Sequence, residues 1–177
     1  MDVNEAIRET IRTIPNFPKP GIQFKDITPI LEDPVLSRAI VAEFVKQYRG
    51  VKIDAVAGVE SRGFLYGLPL AMELNLPFIV VRKKGKLPAE TVSYKYNLEY
   101  GSAEIEVHKG SIKKGMNVLV HDDLLATGGT AGAAAELIKM EGGTVAGFSF
   151  LIELNELNGR QRLAQFDRPI ISLVRYD

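Results

Sequence analysis

The chain of 177 residues contains no cysteine. That absence excludes disulfides and thiolate metal sites, and it fits a reducing compartment. Histidine is almost absent too, and two isolated residues, His108 and His121, make no zinc site. Excess charge is missing: 22 Lys and Arg balance 22 Asp and Glu. A nucleic-acid partner therefore has no electrostatic support, and no basic tail or charge block supplies one locally. No apolar run approaches the roughly 20 residues of a membrane-spanning helix. The opening residues Met1-Asp-Val-Asn-Glu5 are polar and acidic, without the apolar stretch of a secretory signal. A cytoplasmic protein with no nucleic-acid or membrane partner is expected. Two nucleotide-binding fingerprints are also lacking, the Gly-Lys-Ser/Thr loop and the G-x-G-x-x-G turn. The length suits one domain over residues 1–177 with a real core.

What is present is alternation. Helical spacing covers Asn4–Ile14, with Ile7, Ile11 and Ile14 on one face. Pro15–Gly21 is too rich in proline for regular structure. Asp33-Pro34 caps and opens a helix reaching about Tyr48. Strands are expected at Ile53–Val59, Pro77–Val81, Met116–Val120, Thr144–Glu153 and Pro169–Val174. Helices are expected at Gly63–Leu74, Ala131–Met140 and near Asn158–Ala164. Thr91–Leu98 and Ser102–His108 read as a hairpin, because Ala103, Ile105 and Val107 alternate with polar neighbours. Such alternation gives an α/β fold with a central, mostly parallel sheet flanked by helices. Ligands bind such sheets at the carboxyl ends of the strands.

The most informative run is Val118-Leu-Val-His-Asp-Asp-Leu-Leu-Ala-Thr-Gly-Gly-Thr130. A buried strand gives way to the acid pair Asp122 and Asp123, then to the small-residue loop Ala126–Thr130, then to a helix. Free N–H groups and the positive dipole end at a helix start attract an anion. Gly128 and Gly129 let the backbone approach closely, while Thr127 and Thr130 add hydroxyls. Carboxylates touching a phosphate would repel it. The acid pair is better placed to accept hydrogen bonds from sugar hydroxyls, or to face Mg²⁺ through water. The combination reads as a site for a ribose 5-phosphate.

Four further segments carry candidate chemistry. Gly58–Phe64 places Arg62 where a strand passes into a helix, which suits a second phosphate or an ordinary surface ion pair. Arg82-Lys-Lys-Gly-Lys-Leu-Pro88 is a solvated basic loop or a polyanion clamp. Tyr94–Gly101 reads as a lid over the site or as aromatic packing at a hairpin end. Gly21–Thr28 holds Phe24, which can stack on a base or sit in a core. His121 reads as a packed histidine, or as a partner for the acid pair.

These five segments, in this order, resemble the type I phosphoribosyltransferases, and the Asp-Asp-Leu-Leu-Ala-Thr-Gly-Gly-Thr run is similar to the adenine-using members. The resemblance extends from Phe17 to the carboxyl end. It implies a type I phosphoribosyltransferase-like fold with an N-terminal hood (residues 1–33), a core (34–177) and a flexible hairpin lid. It implies transfer of a phosphoribosyl group from 5-phosphoribosyl-1-pyrophosphate (PRPP) to adenine, giving AMP and pyrophosphate, as in purine salvage. Glu99, Tyr100 and Arg62 would be the catalytic group. Arg62, Arg82, Lys83, Lys86, Asp122, Asp123, Ala126, Thr127, Gly128, Gly129 and Thr130 would bind PRPP. Arg82 would act across a homodimer. Gln23, Phe24, Lys25, Leu124 and Leu125 would bind the base, the hood doing so largely through main-chain groups. Lys25 departs from the arginine common at its position. Mg²⁺ would be held by PRPP and water, with no direct protein ligand. The resemblance also implies a Glu60–Ser61 peptide that is cis or turns cis when PRPP binds. Charge, glycine and tyrosines in place of apolar periodicity make Lys83–Tyr100 the most mobile segment expected without ligand. A phosphoribosyltransferase for another base, and a non-catalytic PRPP sensor, are the alternatives.

Overall fold

The computed structural model describes residues 1–98 and 100–177. The chain divides into two compact units, Met1–Gln47 and Tyr48–Asp177.

In the first unit, helix α1 spans Val3–Thr10 and is capped by Asp2, whose Oδ1 accepts the N–H groups of Asn4 and Glu5. The expected continuation to Ile14 does not occur. Ile11 turns extended, and Arg12–Pro15 form strand β1, antiparallel to β2 (Gln23–Asp26). The isoleucine spacing is real over one turn, but Ile14 belongs to a ladder with Phe24, ten residues away. Arg12 locks the hairpin by bonding Asp26 Oδ2 through Nε and Nη2 at 3.1 and 2.6 Å. The Thr28 N–H and then Arg12 hold the Asp26 carboxyl down at about 2. The proline-rich link contains a cis Phe17–Pro18 bond. A short helix α2 (Thr28–Leu31) precedes α3 (Pro34–Gln47). Asp33 caps α3 as expected, accepting the N–H groups of Val35 and Leu36 at 2.9 Å. Helices α1 and α2 pack on α3, where Leu36, Ile40 and Phe44 are buried.

The second unit is built on a seven-stranded sheet in the order β5-β6-β4-β3-β7-β8-β9. Its strands are β3 (Ala55–Val59), β4 (Phe78–Lys83), β5 (Thr91–Asn97), β6 (Ser102–His108), β7 (Asn117–Leu125), β8 (Thr144–Leu154) and β9 (Ile170–Tyr176). The run from β4 through β3, β7 and β8 to β9 is parallel; β6 and β5 close one side as an antiparallel hairpin. Helices α4 (Gly63–Glu73), α5 (Gly129–Met140) and α6 (Gly159–Leu163) complete the unit. Every residue of β3 is buried, as expected of a strand covered on both faces. Helix α5 turns Ala131, Ala133, Ala134 and Ala135 into the core beside Val118, Val120, Phe148 and Phe150.

Two boundaries differ from expectation in ways that shape the site. Strand β7 does not stop before the acid pair but continues through it to Leu125. Its partner β8 is long enough to keep pairing, Leu124 with Ile152 and Leu125 with Glu153. Likewise β4 runs on to Lys83, so Arg82 and Lys83 stand opposite Glu106 and Ile105 of β6 rather than in a loop.

His121 is fully buried on β7, with Nδ1 2.7 Å from Ser149 Oγ on β8. It is a packed histidine, and burial depresses its pKa from 6.5 to about 3. The unfolded chain takes up a proton below pH 6.5 that the folded chain refuses. Stability from this group is therefore complete above that pH and lost as pH falls toward 3, at up to about 1.4 kcal/mol per pH unit. His121→Asn, which can still reach Ser149, should be less stable at neutral pH yet lose stability less steeply between pH 6 and 4. Denaturant melts across that range test this; equal slopes in both proteins would rule out a neutral buried His121.

Candidate active site

The carboxyl ends of β3 and β7 open onto a cleft of about 490 Å³. Glu60, Ser61 and Arg62 line it after β3, and Asp122, Asp123, Leu124, Ala126 and Thr130 line it from β7 and α5. Lys83 and Lys84 from β4 and the following turn, and Tyr96 and Glu104 from the β5–β6 hairpin, complete it. Residues from four separate candidate segments thus meet in one place. Lys86 does not join them. It lines a second cleft of about 470 Å³ with Arg82, Phe64 and Phe78, and Lys84 takes the place in the first.

The acid pair has a distinct electrostatic arrangement. Asp123 is 3% exposed and its Oδ2 lies 3.1 Å from Arg62 Nε. The Asp122 carboxyl accepts the Asp123 N–H at 2.8 Å. Burial, then the neighbouring Asp123 charge, pushes the Asp122 carboxyl well above the usual carboxylate range. Burial raises Asp123 as well, but Arg62 opposes it. The two carboxyls are thus set apart: burial and its neighbour's charge favour the neutral form of Asp122, while the guanidinium steadies the charge of Asp123. No side-chain room separates this pair from α4: a Cβ on Gly63 would lie 2.9 Å from the His121 carbonyl oxygen and 3.1 Å from Asp122 Oδ1.

On the β3 side, the Glu60–Ser61 peptide is cis, as the resemblance implied. Glu60 accepts from Arg82 Nε at 2.9 Å and from the Lys83 N–H at 2.6 Å. Burial alone would raise the Glu60 carboxyl, but these bonds outweigh it and hold it low. Arg82, expected to serve a partner subunit, is thus paired within the chain to Glu60. The basic turn is organised by a residue that its own sequence does not reveal. Glu106, 1% exposed on β6, accepts the N–H groups of Gly85 and Leu87 and the Thr91 hydroxyl at 3.0–3.1 Å.

The loop Ala126–Thr130 leads into α5 as expected, though the helix begins at Gly129, two residues early. Gly128 is left-handed, with φ of 80°, and a Cβ there would lie 2.8 Å from the Gly159 carbonyl oxygen. Both conformation and space therefore demand glycine. Thr127 is exposed, and Thr130 Oγ1 is 3.1 Å from Tyr96 Oη. Leu124 lines the cleft, but Leu125 does not. As a strand residue it alternates to the opposite face, is 1% exposed and joins the core, which corrects its expected place at the base. Gln23, Phe24 and Lys25 lie on β2, whose only strand partner among the described residues is β1. Phe24 packs edge-on against Phe17 at 5.2 Å, and Lys25 Nζ donates to Thr13 Oγ1 at 3.0 Å. Tyr100 is 89% exposed, and Glu99 lies outside the described residues.

Residues 30–164 match the phosphoribosyl transferase domain. An adenine phosphoribosyltransferase of Cytophaga hutchinsonii is 51% identical over 174 residues, 98% of this chain and 96% of that protein. The crystal structure of the enzyme of that name from Thermoanaerobacter pseudethanolicus superposes with a TM-score of 0.94 at 48% identity, covering 98% of this chain and 99% of its own. That from Saccharomyces cerevisiae, complexed with an imino-altritol bisphosphate and adenine, gives 0.91 at 39% identity, covering 97% and 98%. With an acid pair, a glycine-threonine loop at a helix start and a cationic β3 turn around one cleft, the chain belongs to the type I phosphoribosyltransferase family, among the adenine phosphoribosyltransferases.

Proposed function

We propose that the chain transfers the 5-phosphoribosyl group of PRPP to N9 of adenine, releasing pyrophosphate and AMP. The observation that carries this reading is the convergence of Asp122–Asp123, Arg62, Lys83 and the start of α5 on one cleft. In this reading the amides and hydroxyls of Ala126–Thr130 hold the 5-phosphate, and Asp122 and Asp123 hold the ribose hydroxyls. Arg62 and Lys83 face the pyrophosphate, with Lys84 beside them. Lys86 reaches it only if the basic turn moves, and Arg82 only by leaving Glu60.

The chemistry is substitution at the anomeric carbon. The bond from C1 to the pyrophosphate oxygen loosens, its electron pair leaving with pyrophosphate. The sugar gains oxocarbenium character. The N9 lone pair then forms the new C1–N bond as the N9 proton is lost. Catalysis by this chain rests on positioning and on fixed charges, since no side chain needs to become covalently attached. Glu99 is the carboxylate carried over to steady the sugar cation or contact the base, and Tyr100 the side chain carried over to cover the site. A hairpin segment Lys83–Tyr100 that closes over the cleft would keep water from the cation.

Mg²⁺ fits this site as a substrate-borne ion. Among the described residues no group of three or more metal-ligating side chains forms a cage, and Asp123 and Glu60 are committed to Arg62 and Arg82. Asp122 and Asp123 would meet the ion through water, and it would neutralise the departing pyrophosphate. A homodimer and a cytoplasmic setting complete the proposal; among the described residues no helix is long and apolar enough to cross a membrane.

AMP formation from adenine, PRPP and Mg²⁺ tests the reaction; no product at micromolar enzyme would sink it. The base is assigned to the β2 segment. A strand with a partner on one side only keeps backbone groups free on the other, and such carbonyls accept from a 6-amino group. A 6-oxo purine would leave that acceptor unpaired, at a cost on the order of 1–3 kcal/mol. Hypoxanthine should therefore react about ten- to a hundred-fold less efficiently than adenine. Equal kcat/KM for the two bases would overturn the assignment.

A further inference from the structure

Helix α6 carries two arginines with different fates. Arg160 is committed: Nε and Nη2 bond Glu153 at 2.9 and 2.6 Å, and Nη1 donates to the Ile170 carbonyl oxygen at 2.9 Å. Arg175 adds a second cation at 3.4 Å from Glu153. Glu153 is 3% exposed, and these bonds outweigh the effect of burial and keep it ionised. This pins α6 to the carboxyl end of β8 and the start of β9. Gly159, at the start of α6, sits directly on the glycine-threonine loop. A Cβ there would strike the Ala126 carbonyl oxygen, as a Cβ on Gly128 would strike that of Gly159. The loop and α6 are therefore in backbone contact.

Arg162, two residues on, is exposed and forms no ion pair among the described residues. Its guanidinium nevertheless lies over the loop. A Cβ on Gly129, the first residue of α5, would be 3.2 Å from Arg162 Nη1 and 3.6 Å from Thr127 Oγ1. A cation is thus placed at the positive end of a helix, where it opposes the dipole unless an anion comes between them. No carboxylate among the described residues pairs with it there, whereas the neighbouring Arg160 bonds Glu153 and the Ile170 carbonyl.

We infer that Arg162 is a further phosphate-binding residue, which closes the glycine-threonine loop over the 5-phosphate from the α6 side. The inference rests on the reading of Ala126–Thr130 as the 5-phosphate site. The missing side chain of Gly129 leaves the space through which the guanidinium meets the anion. Among the described residues Arg162 bonds only through its backbone, to Asn158 and from Gln165, so its side chain can be replaced without unpicking α6.

The test is calorimetric titration of the full-length protein with ribose 5-phosphate and, separately, with pyrophosphate and Mg²⁺. Arg162→Ala should weaken ribose 5-phosphate binding about ten-fold and leave pyrophosphate binding unchanged. KM for PRPP should rise while KM for adenine and the melting temperature hold. Arg162→Lys should recover part of the loss. A purely structural role would move both ligands together or lower the melting temperature, and would overturn the inference. Equal ribose 5-phosphate binding by wild type and Arg162→Ala would overturn it too, leaving the loop reading intact. Failure of the wild type to bind ribose 5-phosphate at all would overturn both.

Discussion

Gly128→Ala should lower kcat/KM for PRPP on the order of a hundred-fold and destabilise the protein by only about 1–2 kcal/mol. The stability cost is that of holding an L-residue in the left-handed region, where φ is 80°. The functional cost is larger because the added methyl would lie 2.8 Å from the Gly159 carbonyl oxygen, so the loop must shift. The amides of Gly129 and Thr130 would turn with it. A displacement near 1 Å is enough to cost roughly a hundred-fold in a positioned reaction. The loss should fall on PRPP, with KM for adenine little changed. Steady-state kinetics with each substrate varied, beside a thermal melt, provides the check. PRPP kinetics like those of the wild type would mean that this loop does not hold the phosphate.

Asp123→Asn is the second large effect. Its carboxylate is the charged partner of Arg62, and Arg62 Nε is 3.1 Å away. Replacing a charge-assisted bond to the ribose by a neutral one forfeits roughly 1.5–3 kcal/mol, or about ten- to a hundred-fold in kcat/KM. The variant carries a second signature. The Asp123 charge contributes to keeping the proton on Asp122, so its removal should let Asp122 ionise at lower pH. The acid limb of the pH–rate profile should move down accordingly. A folded variant with unchanged kinetics and an unchanged profile would remove Asp123 from the ribose site.

Much of this was legible because the informative residues are neighbours in sequence. The helix cap at Asp33, the β5–β6 hairpin and the passage from β7 through Gly128 to α5 depend on contacts within a few residues, so local spacing and turn chemistry suffice. What was missed depends on distant partners. Nothing in the run before Asp122 says that β8 is long enough to keep β7 extended to Leu125, and that extension turns Leu125 into the core. Nothing within Arg82–Pro88 points to Glu106, which holds the turn in place. Ile14 fits the helical period of Ile7 and Ile11 until Phe24 is seen opposite it. Arg162 lay in a segment read only as a short helix, and its relation to Gly129 exists only in three dimensions.

The side-by-side parallel pairing of β3 and β7, with Gly58 opposite His121, has a consequence for how the site can change. The turn bearing Arg62 and the strand end bearing the acid pair are separated by one ladder spacing, near 4.8 Å, and Gly63 fills the gap with backbone alone. That separation works as a fixed gauge. Changing it means slipping a strand by a whole residue, which would exchange the side chains packed on the two covered faces of the sheet. In the proposed reading the base is chosen at β2, apart from this gauge, so substitutions there would retune the base without touching it. If the cleft holds a sugar and its leaving group as proposed, the sheet sets the span between them, and that span can be inherited only intact.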